Sequence, residues 1–98
     1  MQSIKSPSVD RLFGIILDLN DVDECYKFFE DLCTVKEIRD MAQRFDTALL
    51  LDENKNYQRI IEEVGTSTAT ISRVNKCLRY GTGGYELAIK KFREKGAK

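Results

Sequence analysis

The chain has 98 residues, 42% of them hydrophobic and 33% charged, with 16 Lys and Arg set against 16 Asp and Glu. That is enough chain for one folding unit with a core over residues 1–98 and short for two, and the composition excludes a disordered polar chain. The absence of histidine, of any Cys-x-x-Cys pair and of a Gly-x-Ser-x-Gly turn excludes a zinc site and a nucleophile with its base, so neither an enzyme, a metal nor a bound cofactor is expected.

Ser6-Pro7 opens the first element, because Pro suits the first helical position and Ser can cap it. Val9, Leu12, Phe13, Ile16 and Leu19 follow helical spacing, while Ile15 and Leu17 widen the apolar surface beyond one stripe. A helix so apolar needs partners on several sides, which an interlocked dimer would supply. Gly14 and Asp18 interrupt the run, leaving it far short of a membrane span. The N-terminus lacks the charged flank and cleavage site of a signal peptide, so the expected compartment is the cytoplasm. Cys25, Cys33 and Cys77, odd in number and widely spaced, are expected as reduced thiols that mostly pack.

Asp21-Val22-Asp23-Glu24 resembles a capping box and precedes Cys25, Phe28, Phe29, Leu32 and Cys33 at spacings of three and four, a second amphipathic helix. Thr34-Val35-Lys36-Glu37 repeats the signal in its standard form. Val35, Ile38, Met41, Ala42, Phe45, Ala48 and Leu49 then continue the period to about Asp52, where polar residues stop it and leave Asn56 to cap the next helix. No segment alternates as a strand would, and the expected class is all-α, with residues 7–54 as dimerisation and scaffold helices.

Charge then changes sign along the chain: residues 1–54 carry six Lys and Arg against twelve Asp and Glu, and residues 55–98 carry ten against four. A local excess of cations is what phosphate contacts need, whatever the global balance. Tyr57 to Leu78 reads as two short helices around Gly65. Ile60, Ile61 and Val64 line the first, Gly65 permits the positive φ of a sharp turn, and Ser67 or Thr68 can cap the second. Ile71, Val74 and Leu78 would pack back onto Ile60 and Val64. The opposite face of the second helix, Thr68–Arg79, shows Ala69, Ser72, Arg73 and Lys76 with Thr68 and Arg79 at its edges. Small, hydroxylic and basic, that face suits entry into the major groove of double-stranded DNA. Residues 57–79 thus read as a helix-turn-helix.

Gly81-Thr82-Gly83-Gly84 lacks the spacing of a phosphate-binding loop and reads as a hinge before a last helix, residues 85–93, whose Tyr85, Ala88, Ile89 and Phe92 form one apolar face expected to pack on the N-terminal half. Lys90, Lys91, Arg93, Lys95 and Lys98 make its other side and the tail basic.

Four stretches carry a resemblance to the Trp repressor superfamily, and within it to the YerC/YecD type of Trp-repressor-like proteins. They are Phe28 to Thr34, Ala42-Gln43-Arg44, Ser67 to Asn75, and Gly81 to Tyr85. The resemblance implies a six-helix fold in which two chains interlock through their N-terminal helices as a homodimer, presenting two recognition helices to successive major grooves to regulate transcription, usually by repression. It implies that Thr68, Ala69 and Ser72 lie near base edges and that Gln58 contacts DNA from the start of the first motif helix. Arg73 matches an Arg that helps hold the amino-acid corepressor. The Gly that follows that Arg in the Trp repressor is Val74 here, and a corepressor-contacting Ser is Cys77, so the pocket is expected to be filled and tryptophan control lost. Arg44 matches the pocket's second Arg only to within one residue and is not carried over. The rival function is a helical protein-protein interaction module with no DNA role.

Overall fold

The computed structural model describes residues 3–96. Over these residues the chain forms six helices and no strand: α1 (Pro7–Leu17), α2 (Val22–Leu32), α3 (Val35–Asp52), α4 (Tyr57–Val64), α5 (Thr68–Tyr80) and α6 (Gly84–Glu94). The all-α expectation holds, and none of these helices is long and apolar enough to cross a membrane. The chain divides into two compact units, Met1–Ile38 and Arg39–Lys98, with the division falling inside α3.

The first unit is built by local capping. Ser6 Oγ accepts the Val9 N–H at 3.1 Å with Pro7 at the first helical position. Asp21 Oδ1 accepts the Glu24 N–H at 2.9 Å, while Glu24 reaches back one residue further than a standard box and accepts the Asn20 N–H. Thr34 and Glu37 make the reciprocal pair, Thr34 N–H to Glu37 Oε1 at 2.8 Å and Glu37 N–H to Thr34 Oγ1 at 3.1 Å, satisfying donors that a helix start otherwise leaves orphaned. No residue of α1 or α2 is buried. Phe13 and Ile15 are each 49% exposed and Leu17 is 83% exposed. Val22, Cys25, Tyr26, Phe29 and Ile38 line an apolar concavity of about 270 Å³.

The second unit owns the core. Ala48, Leu51, Ile60, Ile71, Val74, Leu78 and Ile89 are buried together, with Phe45, Leu49, Leu50, Ile61, Val64 and Tyr85 packed around them. Burying an Ile or Leu stabilises by about 1.5–3 kcal/mol. The Phe45 and Phe92 rings meet edge-on at 5.9 Å, and Arg93 reaches Asp52 at 3.4 Å and Glu53 at 3.3 Å, so α6 packs on the end of α3 as well as on α5. Beyond α3 the chain turns through Asn54 at φ 63°, a left-handed conformation that Asn tolerates, with the Lys55 N–H donating to Leu50 O at 3.0 Å.

Two details of α3 differ from the periodicity. Val35 and Met41 are exposed, whereas Thr47 and Leu51 are buried. The buried residues of α3, Thr47, Ala48 and Leu51, all lie in its last two turns, so burial there follows which part of the helix meets the core rather than the hydropathy of each residue. Helix α6 begins at Gly84 and ends at Glu94, one residue beyond the expected span on each side, and Ala88 on its expected apolar face is exposed.

Candidate nucleic-acid interface

Asn56 starts α4 by accepting the Arg59 N–H at 2.9 Å, and Gly65 ends it at φ 78°, ψ 29°, donating its N–H to Ile61 O at 2.9 Å. Glycine alone takes that conformation without a Cβ penalty. Of the two candidate caps for α5, Ser67 serves: its Oγ accepts the Thr70 N–H at 3.2 Å. Thr68 is thereby the first helical residue, its side chain exposed. The helix runs to Tyr80, one residue past the expected end, and closes where the Gly81 N–H meets Cys77 O at 2.8 Å. A Cβ on Gly81 would lie 2.3 Å from that same carbonyl oxygen, so this close is open only to glycine.

The inner face of α5 is Ile71, Val74 and Leu78, all buried. At about 100° per residue, Thr68, Arg79, Ser72, Lys76, Ala69 and Arg73 fall in that order across about 140° of the opposite surface, and every one of them is exposed. The structure therefore brings the six expected α5 residues onto one continuous face. Arg73 and Lys76 make no hydrogen bond or ion pair with other described residues, and Arg79 is steadied by its Nε donating to Asn75 Oδ1 at 3.2 Å. Gln58 is exposed on α4, its Nε2 at 3.5 Å from Glu62 Oε1, outside the α5 arc. Arg59 pairs with Glu63 one turn along, and that hydrogen bond raises the guanidinium pKa above its ordinary value, so α4 adds no unpaired cation of its own. Lys98 lies outside the described residues.

Behind the Arg73 edge of the arc sits a cavity of about 280 Å³ lined by Arg44, Arg73, Val74, Cys77 and Tyr85. Val74 is 1% exposed and belongs to the core. The expected filling is incomplete: a cavity remains beside Val74, and its lining includes both Arg44 and Arg73. Arg44, matched in the sequence only to within one residue, and Tyr85, expected there simply on the apolar face of the last helix, both line this cavity. Arg44 is exposed on α3 just before the partly buried Phe45, and Tyr85 lies on α6, so the two meet at this cavity only through tertiary packing. Cys77 is exposed at this cavity, unlike the half-buried Cys25 and Cys33, and all three thiols are free.

Comparison with known proteins places these features in one family. The family model described as Trp repressor protein matches residues 7–93. YerC of Bacillus subtilis (strain 168), itself uncharacterised, is 47% identical over 94 residues, covering 96% of this chain and 90% of YerC. A TrpR-like protein from Eubacterium eligens ATCC 27750 superposes with a TM-score of 0.87 at 48% identity, over 95% of this chain and 93% of its own. A candidate Trp repressor from Staphylococcus aureus gives 0.88 at 40% identity, over 92% and 90% respectively.

Proposed function

The chain belongs to the Trp repressor protein family, and from that premise we propose that it is a cytoplasmic, homodimeric regulator of transcription, acting as a repressor through sequence-specific binding of double-stranded DNA. The observation that carries this reading is the exposed arc of α5, small at Ala69, hydroxylic at Thr68 and Ser72, and cationic at Arg73, Lys76 and Arg79, on a helix whose other face is locked into a core. Small residues allow close approach to the groove floor, hydroxyls meet base edges, and unpaired guanidinium and ammonium groups meet phosphates or the O6 and N7 atoms of guanine. Gln58 adds a contact from α4.

In this reading two copies interlock through the uncovered apolar side chains of α1 and α2, and residues 1–98 act as one unit only as that dimer. Two recognition helices then face successive major grooves. The regulator works without tryptophan and without any cofactor. What supports this is Val74, which is 1% exposed and holds core space beside Arg73 where the resemblance places a Gly in the Trp repressor.

Retention on duplex DNA should fall steeply with salt. Arg73→Ala or Lys76→Ala should each lower the slope of log affinity against log salt by about one for every phosphate that the variant no longer neutralises. Retention insensitive to salt and to both substitutions would favour the interaction module. Calorimetric titration with tryptophan should show no saturable heat, and saturation near physiological concentration would overturn that part of the proposal.

A further inference from the structure

The cationic face of α5 does not end at Arg79. Past that edge opens a cleft of about 550 Å³, floored by the core residues Leu78 and Ile89 and rimmed by Arg79, Lys90, Arg93, Asp52 and Glu86. We infer that this cleft is a second phosphate-binding surface, through which α6 grips the backbone of the same duplex that α5 reads. The inference rests on the DNA-binding reading above and extends it to a helix outside the helix-turn-helix.

Charge pairing within the cleft decides its sign. Arg93 and Asp52 cancel each other, with Glu53 as a further partner of Arg93, and this pairing fixes the α6 side of the cleft against the end of α3. Lys90 makes no hydrogen bond or ion pair with other described residues. Arg79 uses its Nε on Asn75, leaving its terminal nitrogens available. Among the residues lining the cleft, Arg79, Lys90 and Arg93 stand against Asp52 and Glu86, a rim of net charge +1, which Glu53, outside that lining, tempers through Arg93. Lys91 and Lys95, both exposed, stand about 100–140° round the helix from Lys90 and belong to another face, so Lys90 is the cation that α6 itself brings to the cleft beside the paired Arg93.

Continuity selects the partner. Arg79 belongs both to the recognition arc and to the cleft rim, so a polyanion lying along α5 passes Arg79 before it reaches Lys90. Duplex DNA presents one charge per about 1.7 Å of axis, a continuous line of anions that such a row of cations can follow. The contact is to phosphate and carries no base information.

Salt-titrated binding of full-length Lys90→Gln and Glu86→Gln proteins to two 30-base-pair duplexes, one of random sequence and one recovered by selection, tests this. Lys90→Gln should lower the salt slope by about one per bound chain on both duplexes, which shrinks the drop in affinity between 50 and 200 mM salt about threefold per chain. Lys90→Arg should restore the slope. Glu86→Gln should act with opposite sign and tighten binding to both duplexes. Unchanged slopes for Lys90→Gln beside steep wild-type slopes would overturn the inference while leaving α5 as the DNA-reading helix, as would a weakening confined to the selected duplex. Wild-type protein that binds neither duplex would overturn both readings.

Discussion

The two units solve the burial problem in opposite ways. Residues 39–96 surround a complete core with amphipathic helices, whereas residues 3–38 hold a very apolar helix and a pair of touching phenylalanine rings, yet α1 and α2 bury no residue. Charge separates them too: four Lys and Arg against eight Asp and Glu in residues 1–38, and twelve against eight in residues 39–98. Apolar residues alone do not make a core. They need a facing surface, and a unit that leaves Phe13, Ile15 and Leu17 in water is complete only when something covers them. The second unit, self-sufficient in packing, is free to expose a polar and basic helix face.

That contrast predicts different responses to substitution. The largest effect should come from Ile60→Ala, which hollows a fully buried position of the second unit and should cost about 2–5 kcal/mol in denaturant unfolding. Phe13→Asp should act differently, shifting the molecule from dimer to monomer in sedimentation while the second unit keeps its helical signal and core packing. A Phe13→Asp protein that stays dimeric would break the comparison, because the apolar side of α1 would then not be the covered surface. The smallest effect concerns Glu37. The Thr34 backbone N–H and then its hydroxyl hold the Glu37 carboxyl below its ordinary pKa of 4.5. A depressed folded-state value means the capping contribution is fully present above that pH and is lost as pH falls through the folded value. Wild type and Glu37→Ala should therefore differ slightly in urea midpoint at pH 7 and converge in acid.

Local features were the most legible in the sequence. Ser6, Thr34 and Asn56 cap helices within three residues of themselves, so each signal is contained in a short window. The inner and outer faces of α5 follow from period alone, and the six residues expected to point outward are all exposed. Features depending on residues far apart in the chain were not legible. The Arg93 bridge to Asp52 and Glu53 spans about forty residues, and the cavity behind Arg73 joins α3, α5 and α6. Periodicity could not rank Thr47 above Met41 in α3, since a hydroxyl in a core position opposes the hydropathy pattern. Resemblance suggested a filled pocket from Val74, but a single substitution says nothing of Arg44 and Tyr85, which line the same cavity.

The central claim is that α5 reads DNA from a two-copy assembly, and selection of bound duplexes from a random pool tests it most directly. The expected product is a palindrome whose half-sites lie about 10 base pairs apart, one helical turn between two recognition helices on one face of the duplex. No enrichment at low salt would contradict the claim, as would enrichment that survives unchanged in a protein carrying Thr68→Ala, Ser72→Ala and Lys76→Ala together.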